Sequence, residues 1–256
     1  MLKKKKIELI MLFLYYIFSS ILSVILKFNF LLMTIFFCVL PGFFFLFKNK
    51  EYKNKNLFES FLFMLPVVVV LETFAHSSKA WYYESTLFSF RIFNLFPLES
   101  FLWGISYYIL LIATYEYFFD KKNKPKFNNR FKIALAFVYF ALIVTLICLF
   151  FFPTLLTIPY FYTVFLTTIL ILTAIAAIKS PVIFKRGSLL SLFFLIPGIL
   201  HELISLKLGH WLFTEGFHIG YFNISNHIIP IEEIVWIPLF PIWIALFYEF
   251  FQDDFK

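Results

Sequence analysis

Carboxylates inside apolar stretches are the residues of this sequence best suited to chemistry. Glu72 and Glu202 each lie near the end of such a stretch. Glu99 and the adjacent pair Glu232 and Glu233 follow prolines that open two further stretches. An ionised carboxylate surrounded by lipid is costly unless it is paired or hydrated, so such residues are functional candidates by default. Several of them in one pocket could act as a general acid and a general base.

Each carboxylate also has a structural alternative. Glu72 and Glu202 could reach headgroup water or bond a neighbouring helix. Glu99 and Glu232 could accept hydrogen bonds from the exposed backbone N–H groups of the helix that follows each proline. Capping leaves Glu233 unexplained. Because adjacent carboxylates repel each other while the helix dipole favours the ionised form, the Glu232–Glu233 pair could divide into one acid and one base.

Four tryptophans recur at fixed positions relative to these carboxylates and are candidate ligand-binding residues: Trp81, Trp103, Trp211 and Trp236. The first and third each stand nine residues after an apolar-segment glutamate, and the other two each stand six residues after a proline. Ring faces can stabilise a cation in a water-poor pocket. Most other aromatic residues suit the belt that membrane proteins carry at the lipid–water interface.

The same motifs occur twice in the chain. The segment FMLPVVVVLETFAHSSKAWYYE, residues 63–84, can be laid over FLIPGILHELISLKLGHWLFTE, residues 194–215, with small gaps. Further on, PLESFLW at Pro97 matches PIEEIVW at Pro230, and a Tyr-Glu dipeptide follows both prolines at the same distance. The offset between the copies is nearly constant from the tryptophans to the prolines, so the two copies form one internal repeat. Residues that this repeat aligns are called counterparts.

The repeat predicts two similar four-helix units, at residues 1–120 and 121–256. Because four membrane crossings are an even number, both units have the same orientation and are related by an axis along the membrane normal. A cavity between the units is the natural place for a site. We therefore expect acidic side chains from both units to converge around it.

The composition indicates that most of the chain lies in lipid. Hydrophobic residues make up 62% of the 256 residues and charged residues 14%, and the mean hydropathy is +0.88. A soluble protein of this size needs a far more polar surface, and a helix needs about 20 apolar residues to cross a bilayer. The sequence predicts an all-α polytopic membrane protein, with short turns after the first and fifth helices that make two tight hairpins. Eight windows are long enough: 7–26, 28–47, 57–75, 97–119, 131–152, 155–178, 188–206 and 230–251.

Positive charge is unequally divided between the two sides of this topology. Of the 22 Lys and Arg residues, all but Lys27, Lys79, Arg91 and Lys207 fall on one side. Because cytoplasmic loops retain positive charge, this predicts a multi-pass protein of the cytoplasmic membrane with both termini in the cytoplasm. The basic residues are spread over alternate loops, so we expect no nucleic-acid partner. Carboxylates at the cytoplasmic helix ends are expected to be solvated: Glu59, Glu116 and Glu249.

The sequence predicts neither a metal nor a cofactor. Cys38 and Cys148 lie in separate apolar runs and form no disulfide framework or zinc cluster. The five histidines form no paired metal-binding box, and we expect them to pack or to make hydrogen bonds. No glycine-rich nucleotide-binding motif is present among the seven glycines.

A tryptophan, an aromatic loop and a Pro-x-Glu helix start occur twice in this polytopic chain, the second time as Pro-x-Glu-Glu. Together they resemble the membrane-integral lycopene cyclase domain of carotenoid biosynthesis. The resemblance is best over residues 63–119 and 194–251. The family's acidic motif falls on Pro230, Glu232 and Glu233 in the second unit. In the first unit, Ser100 stands where the second glutamate of the motif is expected. This departure leaves two alternatives, either two sites of which one is incomplete or one composite site that serves both ends of the substrate.

The resemblance implies an acid-initiated, non-redox cyclisation of the ψ-end groups of lycopene to β-ionone rings within the membrane. Glu232 or Glu233 would be the acid, and Glu99, Glu72 or Glu202 its partner or base. The tryptophans that follow Glu72 and Glu202 would stabilise the cation. The expected partners are a lipophilic polyene taken from the bilayer, membrane lipids and other enzymes of carotenoid biosynthesis.

Three other functions compete with this interpretation. A carotenoid 1,2-hydratase would capture the same protonated end group with water. An intramembrane protease with a Glu-Glu-x-x-x-Arg helix is disfavoured because Ile237 stands at the arginine position and no Arg follows it. A proton-coupled transporter could also use paired membrane carboxylates.

Overall fold

The computed structural model describes residues 2–119, 128–224 and 227–253. Eight helices in this part of the chain are long and apolar enough to cross a membrane, which confirms an all-α polytopic membrane protein. They are α1 (Leu2–Leu26), α2 (Phe30–Lys48), α3 (Lys53–Ser77), α4 (Leu98–Phe118), α5 (Asn129–Phe151), α6 (Phe161–Lys179), α7 (Pro181–Lys207) and α8 (Ile231–Gln252). We call α1–α4 the first half and α5–α8 the second half.

The predicted boundary between the two units, at residues 120 and 121, lies outside the described residues. So do four of the lysines counted for orientation: Lys121, Lys122, Lys124 and Lys126. The cytoplasmic location of the termini stays a prediction, because a helix bundle packs in the same way in either orientation.

Helix boundaries differ from the prediction where proline is present. The helix α6 begins at Phe161 rather than at 155, because Pro153–Leu156 forms a 3-10 turn. Residues 152–160 therefore connect α5 to α6, and the prediction of a tight hairpin there is wrong; the α1–α2 turn is short, at residues 27–29. The helix α7 begins at Pro181 rather than at 188, since proline suits the first helical turn.

Short antiparallel strand pairs lie at one end of the bundle, which we call the hairpin end. The pairs are β1 (Trp81–Tyr82) with β4 (Leu212–Phe213), β2 (Arg91–Ile92) with β3 (Phe96–Pro97), and β5 (Tyr221–Ile224) with β6 (His227–Pro230). The β1–β4 pair joins the two halves, whereas each of the other pairs lies within one half. The opposite end of the bundle, where α1 begins, is called the lysine-rich end.

The helices α3 and α7 end in the same way. Ala80 and its counterpart His210 each donate a backbone hydrogen bond of 2.9 Å to the carbonyl five residues earlier. Lys79 and Gly209, immediately before them, both have positive φ, at 56° and 70°. This left-handed conformation is a common helix C-terminal cap. The cap reverses the chain, so the tryptophan that follows returns over the helix end toward the glutamate.

A pseudo-twofold axis relates the two halves. In the β1–β4 pair, Tyr82 lies opposite Leu212, its own counterpart in the repeat. An antiparallel pair in which a residue opposes its own counterpart has a twofold axis between those two residues. Helix packing follows the same axis, because α3 contacts α4 and α5 while α7 contacts α8 and α1. The helices α4 and α8 contact each other.

Reciprocal hydrogen bonds join the halves at the lysine-rich end. The hydroxyl of Tyr115 donates to Oε1 of Glu249 at 2.6 Å, and the hydroxyl of Tyr248 donates to Oε1 of Glu116. Arg186 Nη1 lies 3.4 Å from the same Glu249 oxygen. These residues include the two Tyr-Glu dipeptides of the repeat, and each dipeptide binds the other.

The expectation that the carboxylates at this end are solvated is wrong. Glu59, Glu116 and Glu249 are 1%, 6% and 0% exposed. Tyrosine and arginine partners satisfy the last two, which lowers the cost of burying them in an apolar bundle. Among the described residues, no group hydrogen-bonds to the carboxylate of Glu59.

Candidate functional site

A cavity of about 390 Å³ lies between the two halves toward the hairpin end, and we call it the large cavity. Seven of the nine site residues predicted from the sequence line it: Glu72, Glu202, Glu233, Trp81, Trp103, Trp211 and Trp236. The structure thus brings together three carboxylates and the four repeated tryptophans. The other two predicted residues, Glu99 and Glu232, are not part of this lining.

The large cavity is elongated along the helices. Its α3 lining runs from Glu72 to Phe63, which corresponds to about 14 Å at 1.5 Å per residue. Its α8 lining runs from Glu233 to Ile244, or about 16 Å. Beyond the carboxylates the lining is apolar and aromatic. The acidic groups therefore stand at one end of an apolar slot.

The large cavity reaches the outward surface of the bundle between α5 and α6. Phe137 on α5 and Leu172 on α6 line the cavity and are also 72% and 43% exposed. The outward surface of a membrane-spanning bundle faces lipid. An apolar ligand can therefore enter the slot from the side, out of the bilayer.

Glu72 is surrounded by hydrogen-bond donors. The hydroxyls of Tyr83 and Ser100 donate to its Oε1 at 2.7 and 2.5 Å. The indole Nε1 of Trp81 donates to Oε2 at 3.2 Å, and His76 Nε2 lies 3.7 Å from that oxygen. Donors aimed at a carboxylate favour its ionised form. Of the three cavity carboxylates, Glu72 is the one best arranged to carry the negative charge.

Tyr83 is positioned for this role by the loop that follows α3. Its ring stacks on that of Phe30, with centroids 5.8 Å apart. Burial, and then the charge of Glu72 beside it, raise the pKa of Tyr83 well above its usual value. The phenol therefore stays protonated at neutral pH and can donate its hydrogen bond to Glu72.

Glu202 and Glu233 have fewer donors. The indole Nε1 of Trp211 donates to Oε1 of Glu202 at 3.0 Å, and the hydroxyl of Tyr162 donates to Oε2 of Glu233 at 2.5 Å. Among the described residues, the second oxygen of each carboxylate has no hydrogen-bond partner. Both carboxylates line the large cavity, and we call them the Glu202–Glu233 pair.

The two halves differ at one position of this arrangement. Ser100 and Glu233 are counterparts, since each stands three residues after the proline that opens its motif. Ser100 donates its hydroxyl to Glu72, whereas Glu233 lines the same cavity as Glu202, the counterpart of Glu72. One half thus presents a serine–carboxylate pair and the other a pair of carboxylates.

Glu99 and Glu232 hold the loops of the hairpin end. Oε1 of Glu99 accepts hydrogen bonds from the backbone N–H groups of residues 87 and 88, at 2.6 and 3.0 Å. Oε1 of Glu232 accepts from the N–H of Ile219 at 3.1 Å and from the hydroxyl of Thr163. Both side chains are buried. They therefore cap the preceding loop, not the first turn of their own helix, and their role in the site is to position it.

The repeated tryptophans lie in one aromatic cluster. The ring centroids of Trp103 and Trp211 are 5.8 Å apart, and those of Trp81 and Tyr162 are 5.4 Å apart. Trp236 packs on Phe240 with centroids 4.4 Å apart. Since the indole N–H groups of Trp81 and Trp211 point at carboxylates, these two rings both position the acidic groups and line the ligand space.

Sequence reasoning missed three groups that touch the carboxylates. Tyr83 stands two residues after Trp81, and alternation along an extended segment places both on one side, so that signal was present. Tyr162 and Thr163 begin α6 and bond the two residues of the Glu232–Glu233 motif. These two residues lie outside the repeated motifs, so no repeated pattern marks them.

A second cavity of about 50 Å³, which we call the small cavity, lies on the other side of the pseudo-twofold axis. Its α7 lining consists of the counterparts of α3 residues that line the large cavity. These counterpart pairs are Met64 and Phe194, Val67 and Pro197, Val68 and Gly198, and Leu71 and His201. Both cavities are also lined by Glu202 and Glu233. The carboxylate pair therefore stands between them.

The histidines of the hairpin end are packed among these groups. The ring of His201 lies 5.3 Å from that of Trp211 and 5.2 Å from that of Phe37, measured between centroids. His210 Nε2 lies 2.8 Å from the carbonyl oxygen of Phe28, and burial lowers the pKa of His210. In the described part of the chain, no group of three or more His, Cys, Asp or Glu side chains is arranged to hold a metal ion.

Comparison with protein-family models, with curated proteins and with solved structures finds no match to this chain. Functional inference therefore depends on the geometry of the large cavity and on the motifs that form it.

Proposed function

We propose that this protein cyclises the ψ-end group of a linear carotenoid such as lycopene to a β-ionone ring, within the membrane and without redox chemistry. The observation that supports this most directly is the large cavity itself. It places three carboxylates with unequal hydrogen bonding at one end of an elongated, aromatic and apolar slot. Its size falls within the range of small-molecule sites, about 300–1,000 Å³.

The Glu202–Glu233 pair is the proposed acid. Two carboxylates close together in an apolar setting do not both ionise readily, so they hold a proton between them. Each has one oxygen with no hydrogen-bond partner among the described residues. That arrangement leaves a carboxylic proton available to a ligand in the large cavity, and Glu233, bonded to Tyr162, is the member we assign as donor.

Glu72 is the proposed base. Its three donors favour the ionised carboxylate, and it lines the same cavity as the acid pair. A negative charge opposite the acid also stabilises positive charge that develops on a ligand between them. The aromatic faces of Trp81, Trp211 and Tyr162 add to that stabilisation in a water-poor space.

The reaction is balanced without any external reagent. The acid protonates the terminal C=C bond of the end group, which gives a tertiary cation. The neighbouring C=C bond attacks that cation, so a ring C–C bond forms and the positive charge moves into the ring. The base then removes a ring proton, and a new C=C bond forms. One proton enters and one leaves, so the product is an isomer of the substrate.

Lipid supplies the substrate in this proposal. The opening between α5 and α6 faces the bilayer, and a polyene dissolved there needs no soluble carrier. Membrane lipids and neighbouring enzymes of carotenoid biosynthesis are the partners that such a route implies.

Expression in a host that accumulates lycopene tests the proposal. We expect γ- or β-carotene from the wild-type chain and none from Glu233→Gln. The matched control is Glu215→Gln, which alters an exposed glutamate of the same half and should leave the product unchanged.

Unchanged lycopene, with the protein folded in the membrane, would overturn the proposal. A hydroxylated product would indicate the hydratase instead, since water would then have captured the cation. Proton-dependent substrate flux in vesicles without altered carotenoid would indicate the transporter.

A further inference from the structure

The two cavities have diverged from a common arrangement. Their linings share counterpart positions on α3 and α7, but their volumes are about 390 and 50 Å³. The larger volume suits an organic ligand. The smaller one is far below that size, so a carotenoid end group does not fit in it.

The small cavity is large enough to hold water. A cavity needs about 10–15 Å³ of this kind of volume to hold one water molecule, and the small cavity has about 50 Å³. Water enters a buried cavity only where polar partners are present, because an apolar cavity of this size stays dry. The polarity of the lining therefore determines whether the small cavity holds water or stays empty.

Polar groups are present in the small cavity. His201 is 9% exposed, and its Nε2 has no hydrogen-bond partner among the described residues. Glu202 and Glu233 each contribute a carboxylate with one unbonded oxygen, and Tyr107 also lines the space. The counterpart of His201 in the large cavity is the apolar Leu71. Divergence has thus placed a polar side chain in the small cavity and an apolar one in the large cavity.

We propose that the small cavity is a water site that serves the Glu202–Glu233 pair from the side opposite the substrate. Its catalytic role rests on the proposed cyclisation. After each turnover, the acid pair lacks one proton and Glu72 holds one. Water in the small cavity relays a proton from the aqueous phase to the pair, and Glu72 returns its proton to the aqueous phase, so that one proton enters and one leaves in each turnover. The substrate cation in the large cavity is meanwhile kept from water by the carboxylates and the aromatic cluster.

Radiolytic hydroxyl-radical footprinting of the wild-type chain in lipid nanodiscs tests for the water without any substrate. Radicals generated from ordered water oxidise the side chains that the water touches. Phe194 lines the small cavity, and Phe45 is a buried phenylalanine that lines neither cavity. We expect Phe194 to be oxidised about tenfold faster than Phe45, because a bound water cluster contacts only the former. Equal rates would overturn the water site.

Two variants remove the water in different ways. His201→Leu gives the small cavity the residue that stands at the counterpart position of the large one, and Cys38→Leu fills the space. Either should bring the oxidation rate of Phe194 down to that of Phe45. If one variant fails to fold, the other still tests the proposal. Persistent oxidation of Phe194 in either variant, once that variant is shown to be folded, would contradict it.

The proton role has its own readout. In a cyclisation assay, His201→Leu should lower turnover about tenfold through slower reprotonation, while polyene binding in the large cavity, measured by quenching of tryptophan fluorescence, stays unchanged. Turnover equal to that of the wild type would overturn the proton role. If the chain binds polyenes but never cyclises them, the proposed function fails, and the footprint still reports the water. Cyclisation without oxidation of Phe194 would instead eliminate the water site alone.

Discussion

Glu72 and Glu202 occupy equivalent positions in the two halves, and a tryptophan nine residues later donates to each of them. Their other neighbours differ, since Ser100 donates to Glu72 and Glu233 shares two cavity linings with Glu202. A hydroxyl stabilises a negative charge, whereas a second carboxylate opposes it. From one repeated frame the chain has thus obtained two carboxylates with different hydrogen-bond donors, and the proposed acid–base reaction makes use of that difference.

The lysine-rich end shows the opposite behaviour. There the two Tyr-Glu dipeptides bind each other reciprocally, and Arg186 adds a contact to Glu249. The repeated hydrogen bond is thus kept in both directions, whereas the serine and glutamate counterparts differ where the cavities lie. Variants at both ends of the bundle test this contrast.

Glu233→Ser should have the largest effect, because it makes the second half resemble the first. We expect cyclised product to fall by about 10²–10⁴-fold, the usual contribution of a general acid, with little change in the amount of folded protein. Product formation in membranes, measured by chromatography, checks this. A folded variant that retains a tenth of the wild-type rate would contradict the assignment of Glu233.

Ser100→Ala removes one of the three donors to Glu72 and tests the other side of the comparison. A hydrogen bond to a charged group contributes about 1.5–3 kcal/mol, so the rate should fall by about tenfold or more as the charged form of Glu72 loses support. The conservative variant Ser100→Thr keeps the hydroxyl and should retain most of the rate. Equal rates for the Ala and Thr variants would show that the hydroxyl plays no part.

Gly104→Ala and Gly198→Ala probe the packing that both halves share. A Cβ at Gly104 would meet Cγ2 of Val68 at 2.7 Å, and one at Gly198 would meet Cγ2 of Ile237 at 2.9 Å. Val68 on α3 and Gly198 on α7 are counterparts. The glycine of this contact is therefore Gly104 on α4 in the first half and Gly198 on α7 in the second half. Overpacking costs about 1–3 kcal/mol, and both variants should lower the thermal unfolding temperature by a similar amount.

Relief of the clash provides the control for this pair. Adding Val68→Ala to Gly104→Ala should restore part of the lost stability, and the same second change should not rescue Gly198→Ala. Rescue of both would mean that the two contacts are not independent.

Tyr115→Phe and Tyr248→Phe should have the smallest effects and the most nearly equal ones. Each removes one of the reciprocal hydrogen bonds at the lysine-rich end, at a cost of about 1–2 kcal/mol. Thermal unfolding of the purified variants measures both, and cyclisation by folded protein should not change. A large loss of activity in only one of them would show that this end is not symmetric in function.

Much of the fold was predictable because the insertion of a helix into a membrane depends on its local composition. Each helix must bury about 20 residues in lipid, so hydropathy marks the helices one by one. The α5–α6 connection was mispredicted because hydropathy does not distinguish a 3-10 turn at Pro153 from a helix. The burial of Glu116 and Glu249 was missed for another reason, since their partners lie on other helices, far away along the chain.

The contacts of the candidate site also fall into two groups: those between residues close in sequence could be predicted, and those between different helices could not. The spacing from Glu72 to Trp81 fixed one contact, because a cap and a chain reversal bring residues nine apart together. Tyr162 could not be found in this way, since its bond to Glu233 joins two helices. The hydrogen-bond partners of Glu99 could not be predicted either, because they depend on where the loop that it holds folds back.

Eight membrane-spanning helices, motifs that occur twice and a tryptophan at a fixed distance from each repeated glutamate can all be read from the sequence. Those properties follow from composition and from local geometry. Which carboxylates share a cavity depends instead on how the helices pack. Glu232 and Glu233 are neighbours in sequence, but one residue turns a helix by about 100°, so the first points to a loop and the second to the large cavity. The sizes of the two cavities likewise depend on how side chains from several helices fill the space between the halves.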